Sequence, residues 1–352
     1  MAGSGPWTRC STGPRMSKQN VRTASVLVQT LCVPCYNRCR YCLLRWDGRC
    51  VGADYERSQT YAGRFFDWIR KERPEIQFHF SFGYSMDHPR LPEALGFMRR
   101  IGSVFAEMLQ MDGVGFRDET ALAAWLGEIR QAGVKHLNFT FYGPEAYHDR
   151  FAGRRGDFAY MVRMIDCALK IGFEISARIP LTHENAGNAA ALVSLLREHG
   201  VKIIQCFVPH AEGRGISLEA MRFSQRDYEG LPEDVRRLIN AKVYMPEAKW
   251  LKNGFAPMEK RLLLLSLTPE NIGRLEKQGF AETMAEMEAL DEAYYNALPS
   301  MEKLAALYGD PQSDQWYSQR DLLHHYQRRY IAEKGLALYD VTDERQTGSR
   351  RY

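Results

Sequence analysis

Segments typical of β-strands alternate with segments typical of α-helices over about 240 residues of this chain. Such an alternation predicts a parallel sheet whose crossover connections are helices. We therefore predict an α/β fold, a partial (β/α)6 TIM-like barrel. Its strands are expected at Ala24–Leu31, Ile76–Phe82, Val134–Tyr142, Phe173–Pro180, Val201–Val208 and Leu262–Leu267, with helices at Ser58–Lys71, Asp157–Ile171 and Asn188–His199.

Two regions depart from this alternation. The stretch Gly83–Gly133 holds two predicted helices, Arg99–Met111 and Thr120–Gln131, where one crossover helix is enough, so we expect an insertion after the second strand. From Thr268 onward the pattern is helical and predicts a C-terminal helical extension. The expected domains are a flexible basic N-terminal segment at 1–22, a barrel domain at 23–267 and a helical C-terminal extension at 268–352.

Charge and hydropathy exclude several classes of partner. The formal net charge of +4 resides in residues 1–22, which contain basic but no acidic side chains, so the remainder is neutral. A protein that grips a phosphate backbone usually shows a larger, clustered excess of positive charge, and we expect no nucleic-acid partner. No run approaches the roughly 18 apolar residues of a membrane span, and no secretory signal is recognisable. We expect a cytoplasmic protein without a membrane partner.

Four of the eight cysteines fall within eleven residues, in the segment Cys32-Val-Pro-Cys35-Tyr-Asn-Arg-Cys39-Arg-Tyr-Cys42. The cytosol keeps thiols reduced, so this clustering indicates metal or redox chemistry rather than disulfides. A structural zinc site could use all four thiolates, although such sites usually separate their two pairs by about a dozen residues. A ferredoxin-type run needs a different order of spacings and a following proline.

The spacing Cys35-x3-Cys39-x-Tyr41-Cys42 resembles the C-x3-C-x-aromatic-C signature of the radical S-adenosylmethionine (radical SAM) superfamily. The resemblance implies a [4Fe–4S] cluster held by Cys35, Cys39 and Cys42. Three thiolates on one loop can bind three irons of the cube and leave the fourth iron without a protein ligand. In that family the amino and carboxylate groups of S-adenosylmethionine chelate this iron. Reductive cleavage then gives a 5′-deoxyadenosyl radical that abstracts hydrogen from the substrate.

Further positions are assigned by the same resemblance. Tyr41 and the turn after the second strand, with Gly83 and Ser85, match cofactor-seating positions, although the family's Gly-Gly-Glu sequence is reduced here to a single glycine. Ser176 and Arg178 alternate on a predicted strand and match residues that family members use against the carboxylate and ribose of the cofactor. A guanidinium can pair bidentately with a carboxylate, but an ion pair between Arg178 and Glu174 remains an alternative.

The segment Tyr142-Gly143-Pro144-Glu145-x-x-His148-Asp149 resembles the strand exit of a large peptide- and small-molecule-modifying branch of the superfamily. The aspartate that usually precedes the glycine is absent here, because Tyr142 stands in its place. Apart from the resemblance, His148 and Asp149 could equally form a surface pair or cap a helix, and we favour those simpler roles for both.

Beyond Cys50 only Cys167 and Cys206 remain, too few and too distant to hold an auxiliary cluster, so we expect a single-cluster enzyme. The resemblance implies a peptide or small-metabolite substrate and an external one-electron reductant of the flavodoxin or ferredoxin type. A zinc-binding scaffold and an iron–sulfur electron-transfer protein remain open as alternatives. The sequence leaves the substrate, the outcome of the reaction, the fate of S-adenosylmethionine, the oligomeric state and the roles of Cys32 and Cys50 undetermined.

Overall fold

The computed structural model describes residues 22–33, 35–42, 52–83, 86–103, 106–211, 213–256, 260–338 and 340. Parallel strands in this part of the chain form two sheets, with strand orders β2-β1-β8 and β3-β4-β5-β6. Their bounds are β1 Arg22–Val33, β2 Gln77–Gly83, β3 Met108–Gln110, β4 His136–Thr140, β5 Glu174–Pro180, β6 Ile203–Phe207 and β8 Lys260–Leu267. A short antiparallel pair consists of β7 (Tyr244–Pro246) and β9 (Trp316–Ser318). The predicted α/β barrel class is confirmed.

Helices pack on the outer face of these strands. The strand residues that alternate toward the helices are large and apolar, as in the run Phe78, Phe80 and Phe82, which is almost fully buried. The helices are α1 Tyr55–Glu72, α2 Leu91–Arg100, α3 Glu119–Gln131, α4 Glu145–Ala152, α5 Asp157–Ile171, α6 Ala189–Glu198, α7 Gln225–Gly230, α8 Glu233–Arg236, α9 Glu247–Asn253, α10 Ile272–Lys277, α11 Phe280–Ala297, α12 Met301–Tyr308 and α13 Gln319–Lys334.

The inner face of the strands is polar. On β2 the residues that alternate with the phenylalanines are Gln77, His79 and Ser81, and none of them is fully buried. On β1 and β8 the buried side chains of Gln29 and Ser266 meet in a hydrogen bond of 2.7 Å. A sheet that is apolar toward its helices and polar on the other face encloses a space suited to a polar ligand.

The predicted insertion after the second strand is wrong. The stretch 83–133 contains α2, β3 and α3, which make one further strand–helix unit of the same parallel architecture. The helix expected at Arg99–Met111 is instead the end of α2 followed by β3. Because β3 has only three residues, Met-Leu-Gln, its sequence is too short to show the two-residue period of a strand. The strands predicted as third, fourth and fifth are therefore β4, β5 and β6.

The predicted C-terminal helices are confirmed as α10 to α13. They are joined to the preceding part of the chain by buried ion pairs, of which Arg222 with Asp321 (2.6 Å) and Arg261 with Asp291 (2.6 Å) are the shortest. Strand β9 also pairs with β7, so the extension is interleaved with residues of the expected barrel domain. The division at 267/268 and the flexibility of residues 1–22 stay predictions. No helix in the described ranges has the length and apolar character needed to cross a bilayer.

Candidate active site

The cysteine loop, residues 35–42, follows the carboxyl end of β1. Three backbone amides of this loop donate hydrogen bonds to its surroundings: Tyr36 to the carbonyl of Gly113 (2.9 Å), Arg38 to that of Ala152 (2.6 Å) and Arg40 to that of Phe151 (2.9 Å). The acceptors lie in the turn after β3 and at the end of α4. The position of the loop is therefore set by backbone contacts with two separate elements of the barrel.

Two glycines make room for this loop. Gly113 has a φ of +68°, and a methyl carbon built on it would overlap the Cys35 Sγ atom. Gly153 has a φ of +65°, and a Cβ there would lie 2.8 Å from the Cβ of Arg38. Side chains other than hydrogen would be both strained and crowded at these positions. The absence of side chains at Gly113 and Gly153 thus makes room for Cys35 and Arg38 of the loop.

The three candidate ligands lie in a half-buried pocket. The Tyr142 hydroxyl donates a hydrogen bond of 3.2 Å to the Cys39 Sγ atom, and the Tyr41 ring packs edge-on against Tyr142 with 5.6 Å between centroids. Burial raises the pKa of the Cys35 thiol to about 11, and burial with the neighbouring thiols raises the pKa of Cys39 as well. Iron bound to these sulfurs would supply the positive charge that reverses this effect and would hold them as thiolates.

Cys32 has a different environment from the other three cysteines. Its thiol donates a hydrogen bond of 3.0 Å to the Phe82 carbonyl on the neighbouring strand. Among the described residues, no group of three or more His, Cys, Asp or Glu side chains is arranged to hold a single metal ion. Cys50 lies outside the described residues.

A buried network of polar side chains contacts the cysteine loop through Asn37. The Asp157 carboxylate accepts hydrogen bonds from Asn37 Nδ2 (2.9 Å) and His148 Nε2 (3.2 Å) and pairs with Arg154 (3.3 Å). His148 Nδ1 accepts the Tyr142 backbone amide (3.2 Å), which assigns the ring proton to Nε2. Every polar atom in this chain of contacts has a partner, as burial demands.

These contacts resolve the two roles left open for the His-Asp pair. His148 is completely buried, so the interpretation of it as a surface residue is wrong. Asp149 is a cap, because its carboxylate accepts the backbone amides of Gly156 and Phe158 (2.9 Å) at the start of α5.

Ser176 lies on the inner, polar face of the barrel. Its hydroxyl donates to Asn138 Oδ1 (2.9 Å) and meets His136 Nε2 (2.7 Å), and Asn138 Nδ2 in turn donates to Gln110 Oε1 (2.8 Å). These four side chains form a continuous ladder across β3, β4 and β5. Sequence analysis missed the ladder, although the alternation His136-x-Asn138-x-Thr140 in β4 was a usable signal.

Arg178 lies two residues beyond Ser176 and so shares its face of β5. Its side chain is exposed, and within the described residues it makes no ion pair. Glu174 instead approaches His136 Nδ1 (3.7 Å), so the alternative of an Arg178–Glu174 ion pair is wrong. The guanidinium is thus available to an anionic ligand group at the carboxyl end of β5.

Gly83 ends β2 beside the cysteine loop, opposite Val33 in the register of β1. Its φ is +154°, a backbone conformation that side-chain-bearing residues seldom adopt, and its carbonyl accepts the Ser81 hydroxyl at 3.3 Å. Ser85, the other residue assigned to this turn, lies outside the described residues.

Asp112 lies next to the cysteine loop and was not identified by sequence analysis. It follows β3, and its carboxylate accepts the backbone amide of Thr140 (2.8 Å) and the side-chain amide of Gln110. Burial raises its pKa to about 6. It was not singled out because β3, the three-residue strand before it, was not recognised in the sequence.

Comparison with known proteins decides the family. The model of the radical SAM superfamily matches residues 32–196, which include the cysteine loop and strands β2 to β5. Residues 32–196 are therefore a radical SAM domain. The cofactors of the domain are accordingly a [4Fe–4S] cluster and S-adenosylmethionine, and the chain is a radical SAM enzyme. A search of curated proteins finds no significant match.

Similar solved structures include one that is described as a radical SAM enzyme. Coproporphyrinogen III oxidase (HemN) of Escherichia coli has 12% identity and a TM-score of 0.45, over 87% of this chain and 90% of that chain. SuiB of Streptococcus suis, bound to precursor peptide SuiA, has 10% identity and a TM-score of 0.44, over 83% of this chain and 56% of SuiB. The protein anSMEcpe with bound AdoMet has 14% identity and a TM-score of 0.41, over 65% of this chain and 62% of that chain.

Proposed function

We propose that this radical SAM enzyme binds one [4Fe–4S] cluster through Cys35, Cys39 and Cys42. The observation that supports this most directly is the cysteine loop, whose backbone amides are hydrogen-bonded to Gly113, Phe151 and Ala152 and whose Cys35 thiol lies against Gly113. When bound, the cluster supplies the electron that cleaves S-adenosylmethionine to methionine and a 5′-deoxyadenosyl radical. A substrate held in the polar interior would be the source of the hydrogen atom that this radical takes.

The remaining assigned residues seat the cofactor. We propose that Tyr41 packs beside the cluster, where it already contacts Tyr142, and that the Gly83 carbonyl and Ser85 accept hydrogen bonds from the cofactor at the end of β2. Ser176 presents a hydroxyl to the interior, and Arg178 pairs with a carboxylate. Gly83 and the cysteine loop lie at the carboxyl ends of β2 and β1, and Arg178 lies in the carboxyl half of β5, on the side where ligands of α/β barrels bind.

The substrate of this proposal is a peptide or a small metabolite, and the outcome of the reaction is a modification that begins at an unactivated carbon. The electron comes from a soluble carrier of the flavodoxin or ferredoxin type, and the enzyme acts in the cytoplasm. Exclusion of water from the barrel interior protects the radical from side reactions.

Anaerobic reconstitution with iron and sulfide, followed by reduction in the presence of S-adenosylmethionine, tests the proposal. We expect a brown protein that releases 5′-deoxyadenosine. Replacing Cys35, Cys39 or Cys42 by serine should abolish both properties, whereas the matched variants Cys32→Ser and Cys167→Ser should retain them. A stable cluster without cleavage of S-adenosylmethionine would indicate electron transfer instead. A colourless protein that binds zinc through Cys32 would contradict the proposal altogether.

A further inference from the structure

Two large aromatic side chains are exposed beside the cysteine loop. Tyr36, which follows the candidate ligand Cys35, and Phe116, in the turn after β3, are each 50% exposed. Arg154 joins them, because its guanidinium lies 3.6 Å from the centre of the Phe116 ring and 5.5 Å from that of the Tyr36 ring. These contacts make one continuous surface that begins next to a candidate cluster ligand. Exposed aromatic side chains and arginines that are grouped in this way are typical of protein interfaces.

The same surface is rich in arginine. It is formed by the exposed side chains of three segments that contact each other, residues 35–42, 113–117 and 152–156, and we call it the arginine–aromatic surface. These segments contain no acidic residue and five arginines, namely Arg38, Arg40, Arg117, Arg154 and Arg155. A further arginine adjoins them, since the guanidinium of Arg163 on α5 donates a hydrogen bond of 3.2 Å to the Arg117 carbonyl.

Carboxylates from other parts of the chain neutralise some of these arginines. The three ion pairs are Arg40–Glu184, Arg117–Asp87 and Arg154–Asp157. The exposed Asp118, which follows the second segment, is the N-cap of α3 and accepts the Ala121 amide at 2.8 Å. Arg38, Arg155 and Arg163 are exposed. The arginine–aromatic surface therefore keeps an excess of positive charge and favours a partner with acidic side chains.

The place of this surface decides what kind of partner it fits. Tyr36 is bonded to Cys35, so a protein seated on the exposed Tyr36 ring lies next to the proposed cluster. The cluster needs one electron from outside the chain for each cleavage of S-adenosylmethionine. An electron carrier with an acidic surface complements the arginines, and the aromatic rings supply the apolar centre of a small, transient interface.

We propose that the arginine–aromatic surface docks an acidic electron carrier of the flavodoxin type, which delivers its electron to the cluster at the Cys35–Tyr36 side of the loop. This inference rests on the proposed function and adds the place where the reductant binds. Each encounter transfers one electron. The anionic hydroquinone of the flavin becomes the neutral semiquinone, and the [4Fe–4S] cluster passes from its 2+ to its 1+ state.

The direct test is the binding of oxidised flavodoxin to the reconstituted protein, measured anaerobically by biolayer interferometry at several salt concentrations. Binding should weaken as the salt concentration rises, because opposite charges are screened. Phe116→Ser and Arg155→Glu should each raise the Kd by about fivefold or more. The matched controls Leu307→Ser and Arg320→Glu, which change exposed side chains on α12 and α13, should leave the Kd unchanged.

A second measurement separates docking from chemistry. With reduced flavodoxin as the electron source, Phe116→Ser and Arg155→Glu should need about fivefold more flavodoxin to reach half of the maximal rate of 5′-deoxyadenosine release. Dithionite is a small inorganic reductant that needs no docking surface. With dithionite, both variants should release 5′-deoxyadenosine at the wild-type rate.

Several results would overturn the docking surface. These are an unchanged Kd in Phe116→Ser and Arg155→Glu, equal losses in the two controls, and binding that does not respond to salt. A wild-type protein that cleaves S-adenosylmethionine with dithionite but neither binds flavodoxin nor takes electrons from it would contradict this inference alone. Self-association of the wild type that both variants abolish would assign the surface to a second copy of the chain instead. Absence of cleavage with dithionite would contradict the proposed function.

Discussion

At the residue scale, the shape of the site depends on a glycine outside the cysteine motif. Gly113 faces Cys35 so closely that no Cβ fits between them. We predict that Gly113→Ala displaces the Cys35 thiol and strongly reduces the iron bound per chain after reconstitution. The control is Gly127→Ala, a position in α3 with open space around it, where alanine should stabilise the helix by about 1 kcal/mol. A fully loaded Gly113→Ala protein would show that the loop does not depend on this contact.

A second prediction at the residue scale concerns the hydrogen bond from Tyr142 to the cysteine loop. Its hydroxyl donates a hydrogen bond to the Cys39 sulfur, and such bonds stabilise the more negative, reduced state of an iron–sulfur cluster. Tyr142→Phe should therefore shift the reduction potential to more negative values while cluster content stays the same. A redox titration monitored by electron paramagnetic resonance measures this shift. The control is Tyr147→Phe, which removes a hydroxyl that is hydrogen-bonded to Glu184 and should leave the reduction potential unchanged. An unchanged reduction potential in Tyr142→Phe would show that the hydrogen bond to Cys39 does not affect the cluster.

At the scale of secondary-structure elements, long periodic segments were predictable and short ones were not. Helix α5 has the predicted bounds, and β5 and α6 each differ from prediction by one residue at one or both ends. Strand β3 escaped detection because three residues cannot show a period. Because β3 was missed, Asp112 was not identified and the later strands were numbered one too low. The cysteine loop, by contrast, was predictable from the spacing of its cysteines. The burial of His148 depends on packing between α4 and α5, which no local pattern reports.

Glu219 lies in the 3₁₀ segment Gly213–Met221, where it links this segment to α13. Burial acts to raise its pKa, but hydrogen bonds from His325 and Arg222 outweigh burial and lower the pKa to about 2. A carboxyl with a depressed folded-state pKa stabilises the fold above its ordinary value of about 4.5, and that contribution is lost as the pH falls toward 2.

We therefore predict that the difference in Tm between wild-type apoprotein and Glu219→Gln is largest above pH 5 and shrinks as the pH is lowered toward 2. Thermal unfolding followed by circular dichroism across this range measures the difference. Glu229→Gln, in the exposed turn of α7, should show little difference at any pH. A Tm difference between wild type and Glu219→Gln that stays constant from pH 6 to 3 would show that the Glu219 carboxylate does not stabilise the fold in this way.

At the scale of the whole molecule, the C-terminal helices are held to the barrel by a buried ion pair. Arg222 and Asp321 are 2.6 Å apart, with side chains 2% and 0% exposed, and the Arg222 guanidinium lies 3.9 Å from the centre of the Tyr317 ring. Removing one member leaves a buried charge without its partner, which typically costs about 3–5 kcal/mol. The exposed pair Arg197–Asp234 should contribute at most about 1 kcal/mol.

Arg222→Met should therefore lower the free energy of unfolding far more than Arg197→Met. Urea denaturation of the two apoproteins measures both free energies of unfolding. Equal m-values would confirm that the two variants unfold in the same transition. Equal and small losses would show that the extension is not anchored through this pair.

The central claim is that three thiols from one loop leave an iron of the cluster open to S-adenosylmethionine. Electron–nuclear double resonance on the reduced, reconstituted protein, with the cofactor labelled with ¹⁵N at its amino group, tests this most directly. We predict a ¹⁵N coupling that shows direct bonding to iron, and its loss when unlabelled cofactor is substituted. A cluster spectrum that is unchanged by the labelled cofactor, with a fourth protein ligand on the cluster, would contradict the account.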